Sequence, residues 1–340
     1  MPPLLTSMAT SCVSGMLPRF RIKVLAMAGG FPPFVPKEVE RIKDSHAIAL
    51  AKRIERVPVK IDSEKSAIMS SCVRPLHQNT NEPVVLLHGF DSSCLEWRYV
   101  YPLLEDAGVE AWAIDILGSG FSDLGALPPC DVATKHKHLY QLWKSYIKKP
   151  MVLVGPSLGA AVAIDFVANY PDTVSKLVFI DASVYAEGAG DVANLPKFFA
   201  YAGVYVLKSL PLRLYGMKLA INEVPKGSLL DWTNVGRLHC RLPWWEDATV
   251  DFMINGGYNV VNLIKQVKQK TLVIWGEDDR IIDKELAIKL CNDLQYSVLH
   301  MIPECGHLPH VEKPEKVTEL ILSFLARENV TDEQLQKVLN

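Results

Sequence analysis

The chain has 340 residues, of which 49% are hydrophobic, and a formal net charge of −2. That length can bury one large α/β domain or two smaller ones, and the near-neutral charge gives no electrostatic footprint for nucleic acid. No run reaches the roughly 18 uninterrupted apolar residues of a membrane span; the nearest, 151–168, contains Pro156 and Asp165.

Residues 1–37 contain no Asp or Glu. They carry Arg19, Arg21, Lys23 and Lys37, with hydroxyls at Thr6, Ser7, Thr10, Ser11 and Ser14. An acid-free start bearing Arg and hydroxyls, without a continuous apolar stretch, predicts an organelle transit peptide rather than a secretory signal. Val24-Leu25-Ala26 before Met27-Ala28 resembles a plastid processing site, so residues 1–28 are read as a chloroplast transit peptide, with the mitochondrion as the alternative destination. Cysteines stand at 12, 72, 94, 130, 240, 291 and 305, with no C-x-x-C pair and no zinc-like Cys/His spacing. They read as reduced thiols.

Residues 31–36, Phe-Pro-Pro-Phe-Val-Pro, form a stiff linker. Residues 37–56 place Val39, Ile42, Leu50 and Ile54 near helical spacing, which predicts an amphipathic helix outside the core. Together, 29–56 are a linker and N-terminal helix. Residues 57–61 and 67–73 suggest an antiparallel strand pair. Strands and helices then alternate: strands at 83–88, 110–116, 151–154, 176–181, 271–275 and 297–302, helices at 95–107, 133–148, 157–170, 283–293 and 314–327. This alternation predicts a mostly parallel eight-stranded sheet with helices on both faces. It breaks between 185 and 269, a stretch rich in aromatics and without a strong strand run, which predicts a helical cap over the sheet's C-terminal edge. The core is therefore expected at 57–184 and 270–328, with a tail at 329–340.

The chemistry concentrates at that edge. Gly155-Pro156-Ser157-Leu158-Gly159 follows an apolar strand and precedes a small-residue helix. This G-x-S-x-G context pushes a serine clear of the sheet with its Oγ free to attack. Serine catalysis needs a base and an acid that orients it. The strand at 271–275 runs into Glu277-Asp278-Asp279, and the last strand runs into Gly306-His307. Acid and histidine thus follow the serine at one predicted edge, where ligands bind in open α/β sheets. Each feature alone is common on a protein surface; their order and shared edge carry the reading. An oxyanion hole would combine the Leu158 amide with one from the loop His88-Gly89-Phe90-Asp91, where Phe90 is the expected donor. His88 is assigned to shaping that loop, since His307 fits the base's place better.

Leu87-His88-Gly89-Phe90, Asp115-Ile116-Leu117-Gly118-Ser119-Gly120-Phe121-Ser122, the serine pentapeptide, Trp275-Gly276-Glu277-Asp278-Asp279 and Gly306-His307 together resemble the α/β-hydrolase superfamily, over about residues 57–327. The nearest resemblance is to its plastid-targeted, capped plant members. It implies the α/β-hydrolase fold and a Ser157–Asp279–His307 triad, with Asp278 the fallback acid and Asp181, after the sixth strand, a further alternative. Dehalogenases and epoxide hydrolases of this fold carry aspartate in place of Ser157, so the resemblance favours a serine hydrolase of a carboxylic ester (carboxylesterase or lipase-like).

Phe198 to Leu219 is apolar with intermittent Lys208, Arg213 and Lys218. Its main expected role is packing, with a hydrophobic or lipid-like ester as partner and peripheral membrane contact as an accessory. No cofactor or metal is expected, because there is no P-loop, no G-x-G-x-x-G and no ligand cluster. The alternatives are a carbon–carbon bond hydrolase or acyltransferase on the same scaffold, or a non-catalytic small-ligand binding protein.

Overall fold

The computed structural model describes residues 30–62, 66–78, 81–190 and 196–326. The expected transit peptide, Cys12 and the tail lie outside the described residues. One eight-stranded sheet organises the chain: β1 (Glu55–Val59), β2 (Ile68–Val73), β3 (Val84–Leu86), β4 (Ala111–Ile114), β5 (Met151–Pro156), β6 (Val174–Ile180), β7 (Lys270–Gly276) and β8 (Ser297–Ile302). Their spatial order is β1-β2-β4-β3-β5-β6-β7-β8. β2 pairs antiparallel with β1 and β4, and every other pairing is parallel. The central strands β3, β4, β5 and β7 are almost wholly apolar because both faces are buried.

Strand alternation feeds two cores. Val85, Leu87, Leu153, Phe179 and Val273 face one side, where they pack with α3 (Val132–Leu142), α4 (Leu158–Asn169) and α9 (Glu285–Asp293). Val84, Leu86, Val154, Val178 and Ile274 face the other, against α1 (Ser45–Ala51), α2 (Val100–Asp106) and α11 (Pro314–Ala326). A period of two in the strands thus supplies both layers. Between β6 and β7 come four helices, α5 (Lys197–Leu207), α6 (Leu210–Ala220), α7 (Leu229–Gly236) and α8 (Trp245–Ile254), which form the helical cap. A short helix, α10 (Pro309–Glu312), follows the β8 loop.

The N-terminal segment departs from expectation. Residues 37–56 are not one helix outside the core. A 3₁₀ turn spans Lys37–Arg41, α1 covers only Ser45–Ala51, and β1 already begins at Glu55. Asp44 caps α1 by accepting the His46 and Ala47 amides, which starts a new helix and ends the earlier turn. Val35, Val39, Ile42, Leu50 and Ile54 are all buried in the second core. The linker is held as well: the Arg56 guanidinium lies 4.2 Å from the Phe34 ring centroid. The expected helix at 95–107 is likewise a 3₁₀ turn (Cys94–Trp97) followed by α2, and α3 ends at Leu142 in a wider turn over Trp143–Ile147.

Candidate active site

The serine turn is built by close packing. A Cβ on Gly155 would lie 2.3 Å from the Gly159 carbonyl carbon, and one on Gly159 would lie 2.9 Å from the His88 carbonyl oxygen. Only glycines let β5, α4 and the His88 loop approach so closely. Ser157, between them, has φ 47° and ψ −117°, a strained conformation for a non-glycine residue. Its N–H donates to the Ile180 carbonyl at 2.8 Å, and its carbonyl accepts the Ser183 amide at 3.0 Å, so neighbouring backbone fixes the turn. Leu158 is the first residue of α4. Its N–H therefore has no intrahelical partner and points with the positive end of the helix dipole.

The expected base and acid follow adjacent strands. His307 follows β8 and Asp279 follows β7, and their Nδ1 and Oδ2 atoms are 2.8 Å apart. Asp279 Oδ1 accepts the Ile281 and Ile282 amides at 2.7 and 3.1 Å. Burial opposes its ionisation, yet His307 and these amides hold the carboxyl below its usual range. Asp278 turns the other way, accepting from Asn222 Nδ2 at 3.1 Å. Ser157 stands at the same edge, but among the described residues its Oγ makes no hydrogen bond to His307. Catalytic hydrogen bonds commonly tighten only with substrate bound.

Asp181, after β6, sits beside this pair without joining the histidine. One polar atom each from Asp181, Asp279 and His307 lie within 4.8 Å of one another. Asp181 Oδ1 accepts the Gly276 amide at 3.0 Å. Burial, and then the Asp279 charge, push its carboxyl well above the ordinary range. Two adjacent carboxyls cannot both ionise cheaply.

The His88 loop is anchored from below. His88 Nδ1 donates to the Gly89 carbonyl at 2.8 Å, and Nε2 accepts the Ile116 amide at 3.1 Å, so both ring nitrogens are occupied. The Gly89 amide donates to Glu96 Oε2 at 3.0 Å. Glu96 Oε1 meets His310 Nε2 at 2.7 Å. Burial would raise the Glu96 carboxyl, but His310 outweighs it and holds the pKa at about 2. With Gly89 committed, the Phe90 amide is the next one along the loop.

Sequence reasoning missed the clamp above this loop. Asp91, with φ 51°, accepts from Arg213, from His239 Nε2 at 2.9 Å and from Trp245 Nε1 at 3.0 Å. All three donors lie in the cap. Burial would lower the His239 pKa, but neighbouring Cys240 and Asp91 outweigh it and push it up to about 10. The Asp91–His239–Cys240 cluster has the makings of a metal site. Arg213, however, donates to both Asp91 and Cys240 Sγ and already serves as its cation. The partners are 122 to 154 positions away in sequence, and no local motif marks them. A second cap contact reaches His307. The His307 amide donates to the Ala220 carbonyl at 2.7 Å, at the end of α6, and the Asn222 amide donates to Glu312 at 2.8 Å.

The alpha/beta hydrolase family profile matches residues 84–320. The chain is 57% identical over 309 residues to the alpha/beta hydrolase domain-containing protein VTE7 of Arabidopsis thaliana, covering 90% of this chain and 94% of that protein. It is 29% identical over 263 residues to a 2-hydroxy-6-oxononadienedioate/2-hydroxy-6-oxononatrienedioate hydrolase of Comamonas testosteroni, covering 72% of this chain and 88% of the relative. A thermophilic esterase from Thermogutta terrifontis superposes with a TM-score of 0.67 at 21% identity, over 80% of this chain and 98% of the esterase, a likeness of fold. The chain belongs to the alpha/beta hydrolase family.

Proposed function

We propose that the protein is a serine hydrolase that cleaves a hydrophobic carboxylic ester through an acyl-enzyme. The observation that carries this reading is the 2.8 Å Asp279–His307 pair at the same sheet edge as a serine held at φ 47°. With Nδ1–H donating to Asp279, His307 keeps Nε2 free to accept the Ser157 proton. Ser157 Oγ attacks the ester carbonyl, and the Phe90 and Leu158 amides stabilise the oxyanion, each by roughly 3–4 kcal/mol. His307 passes its proton to the departing alcohol. Water, activated by the same histidine, then releases the acid. In this reading 57–184 and 270–328 form the catalytic core and 185–269 the cap.

The outer face of α5 and α6 supports a lipid-like substrate and peripheral contact with a membrane surface. Phe198 is 66% exposed and Tyr205 72% exposed, and residues 196–222 contain four cations and no acid. Arg213 is taken up by Asp91 and Lys208 pairs with Glu246 at 2.8 Å, so the exposed aromatics are what suits contact with an apolar interface. No helix among the described residues is long and apolar enough to cross a membrane. The acid-free first 37 residues and the plant relative support import into a plastid. A second reading, carbon–carbon bond hydrolysis, draws on the Comamonas testosteroni relative. Fluorophosphonate labelling and p-nitrophenyl ester turnover test the proposal: both are expected to vanish in Ser157→Ala. Equal labelling of the variant would sink it, and turnover of vinylogous diketones without esters would favour the second reading.

A further inference from the structure

A cavity of about 30 Å³ opens beside the expected oxyanion donors, and its wall includes Phe90, Leu158, Gly118, Ser119, Lys135 and Tyr258. That exceeds the roughly 10–15 Å³ of probe space that one water needs and suits the end of a small polar group. Two polar groups in this wall are not used up by the fold.

Lys135, on α3, is 6% exposed. Its ammonium donates to the Leu117 carbonyl and lies 5.0 Å from the Phe252 ring centroid. A Cβ on Gly118, in the cavity wall, would lie 3.2 Å from Nζ. An ammonium has three N–H donors. Among the described residues it forms no ion pair with an acid. Burial pulls its pKa down, and the acids that oppose this, led by Asp251 after Cys130, act from a distance. The Tyr258 hydroxyl is buried and has no hydrogen-bond partner among the described residues. Asp91 also borders the cavity, but Arg213, His239 and Trp245 already claim its carboxylate. The wall thus offers, among the described residues, one lysine amine without an ion pair and one hydroxyl without a partner, beside the expected oxyanion donors. Buried donors left without acceptors are costly.

We propose that this niche binds a carboxylate of the substrate, held by Lys135 Nζ and the Tyr258 hydroxyl, so that the natural substrate carries an acid group close to the carbonyl under attack. The proposal rests on the serine-hydrolase reading above and narrows its substrate class. A carboxylate is the occupant that both accepts hydrogen bonds and neutralises the buried ammonium.

The test compares a p-nitrophenyl monoester of a short dicarboxylic acid with a p-nitrophenyl alkanoate of equal length. Wild-type protein is expected to prefer the acid-bearing ester in kcat/KM. Lys135→Met should reduce that preference about 10–100-fold, the range of one charged hydrogen bond, while turnover of the neutral ester stays within about 3-fold. Tyr258→Phe should reduce it about 3–10-fold. A merely structural lysine would depress both esters equally, and that outcome overturns the proposal, as does a wild type without preference. A binding arm separates this failure from that of the parent reading. The non-cleavable amide of the same diacid is titrated calorimetrically into Ser157→Ala protein with and without Lys135→Met. Lys135-dependent binding without ester turnover keeps the niche and rejects the ester mechanism. Ester turnover with binding indifferent to Lys135→Met keeps the mechanism and leaves the niche a water-filled void.

Discussion

Replacing Asp91 by Asn tests whether charge holds the cap to the His88 loop. The substitution preserves shape but removes the anion on which Arg213, His239 and Trp245 converge. His239 is fully buried and Asp91 nearly so. Breaking such a buried pair by removing one partner costs about 3–5 kcal/mol. At roughly 2–4 °C per kcal/mol for a chain of this size, Tm should fall by about 10 °C near pH 7. The pH dependence sharpens the test. The folded pKa of His239, about 10, stands above its ordinary 6.5. Its contribution is therefore complete below pH 6.5 and is lost as pH rises through 10. The gap between wild type and Asp91→Asn should narrow from pH 7 to pH 10, read by thermal unfolding followed by circular dichroism. A gap at pH 7 below about 3 °C, or one equally wide at pH 10, would refute the reasoning.

The three acids near the histidine should separate cleanly in ester turnover. Asp279→Asn should lower kcat by about 10³–10⁴-fold, through loss of the correct imidazole tautomer. Asp278→Asn should change it less than about 3-fold, because that carboxylate faces Asn222. Asp181→Asn should also stay within about 3-fold, since among the described residues its carboxyl makes no hydrogen bond to His307 and an amide oxygen can equally accept the Gly276 amide; a thousandfold loss there would make Asp181 the working acid. Glu96→Gln should lower stability at pH 7 by about 1–3 kcal/mol and flatten its acid dependence. The folded pKa of Glu96, about 2, lies below its ordinary 4.5, so its contribution is present above pH 4.5 and is lost as pH falls through 2. Urea unfolding at pH 3 and pH 7 reads this; an unchanged pH slope in the variant contradicts it.

What could be read in the sequence was local. The β-branched run of β5, the glycines flanking Ser157 and the small residues of α4 are contiguous, and their steric logic needs no tertiary knowledge. The parallel sheet was legible because each strand is apolar on both faces. The choice of Asp279 over Asp278 came from resemblance, since alternation along a loop does not say which carboxylate turns inward. The N-terminal segment misled because Val39, Ile42, Leu50 and Ile54 fit a helical period even though Asp44 restarts the helix between them. Asp91 and Lys135 were invisible for a different reason. A charged residue in a loop or on a helix reads as solvated, and only the fold reveals that Arg213 and His239 cover the first and that the Gly118 turn and Phe252 cover the second.

The end of α6 is stitched to the histidine loop through Ala220 and to the acid loop through Asn222. The end of α6 therefore helps hold the loop that carries His307. A chimera carrying a relative's cap would inherit a new specificity and a displaced His307 together, unless the graft began after Asn222. The 220–222 turn belongs, in engineering terms, to the chassis rather than to the exchangeable part.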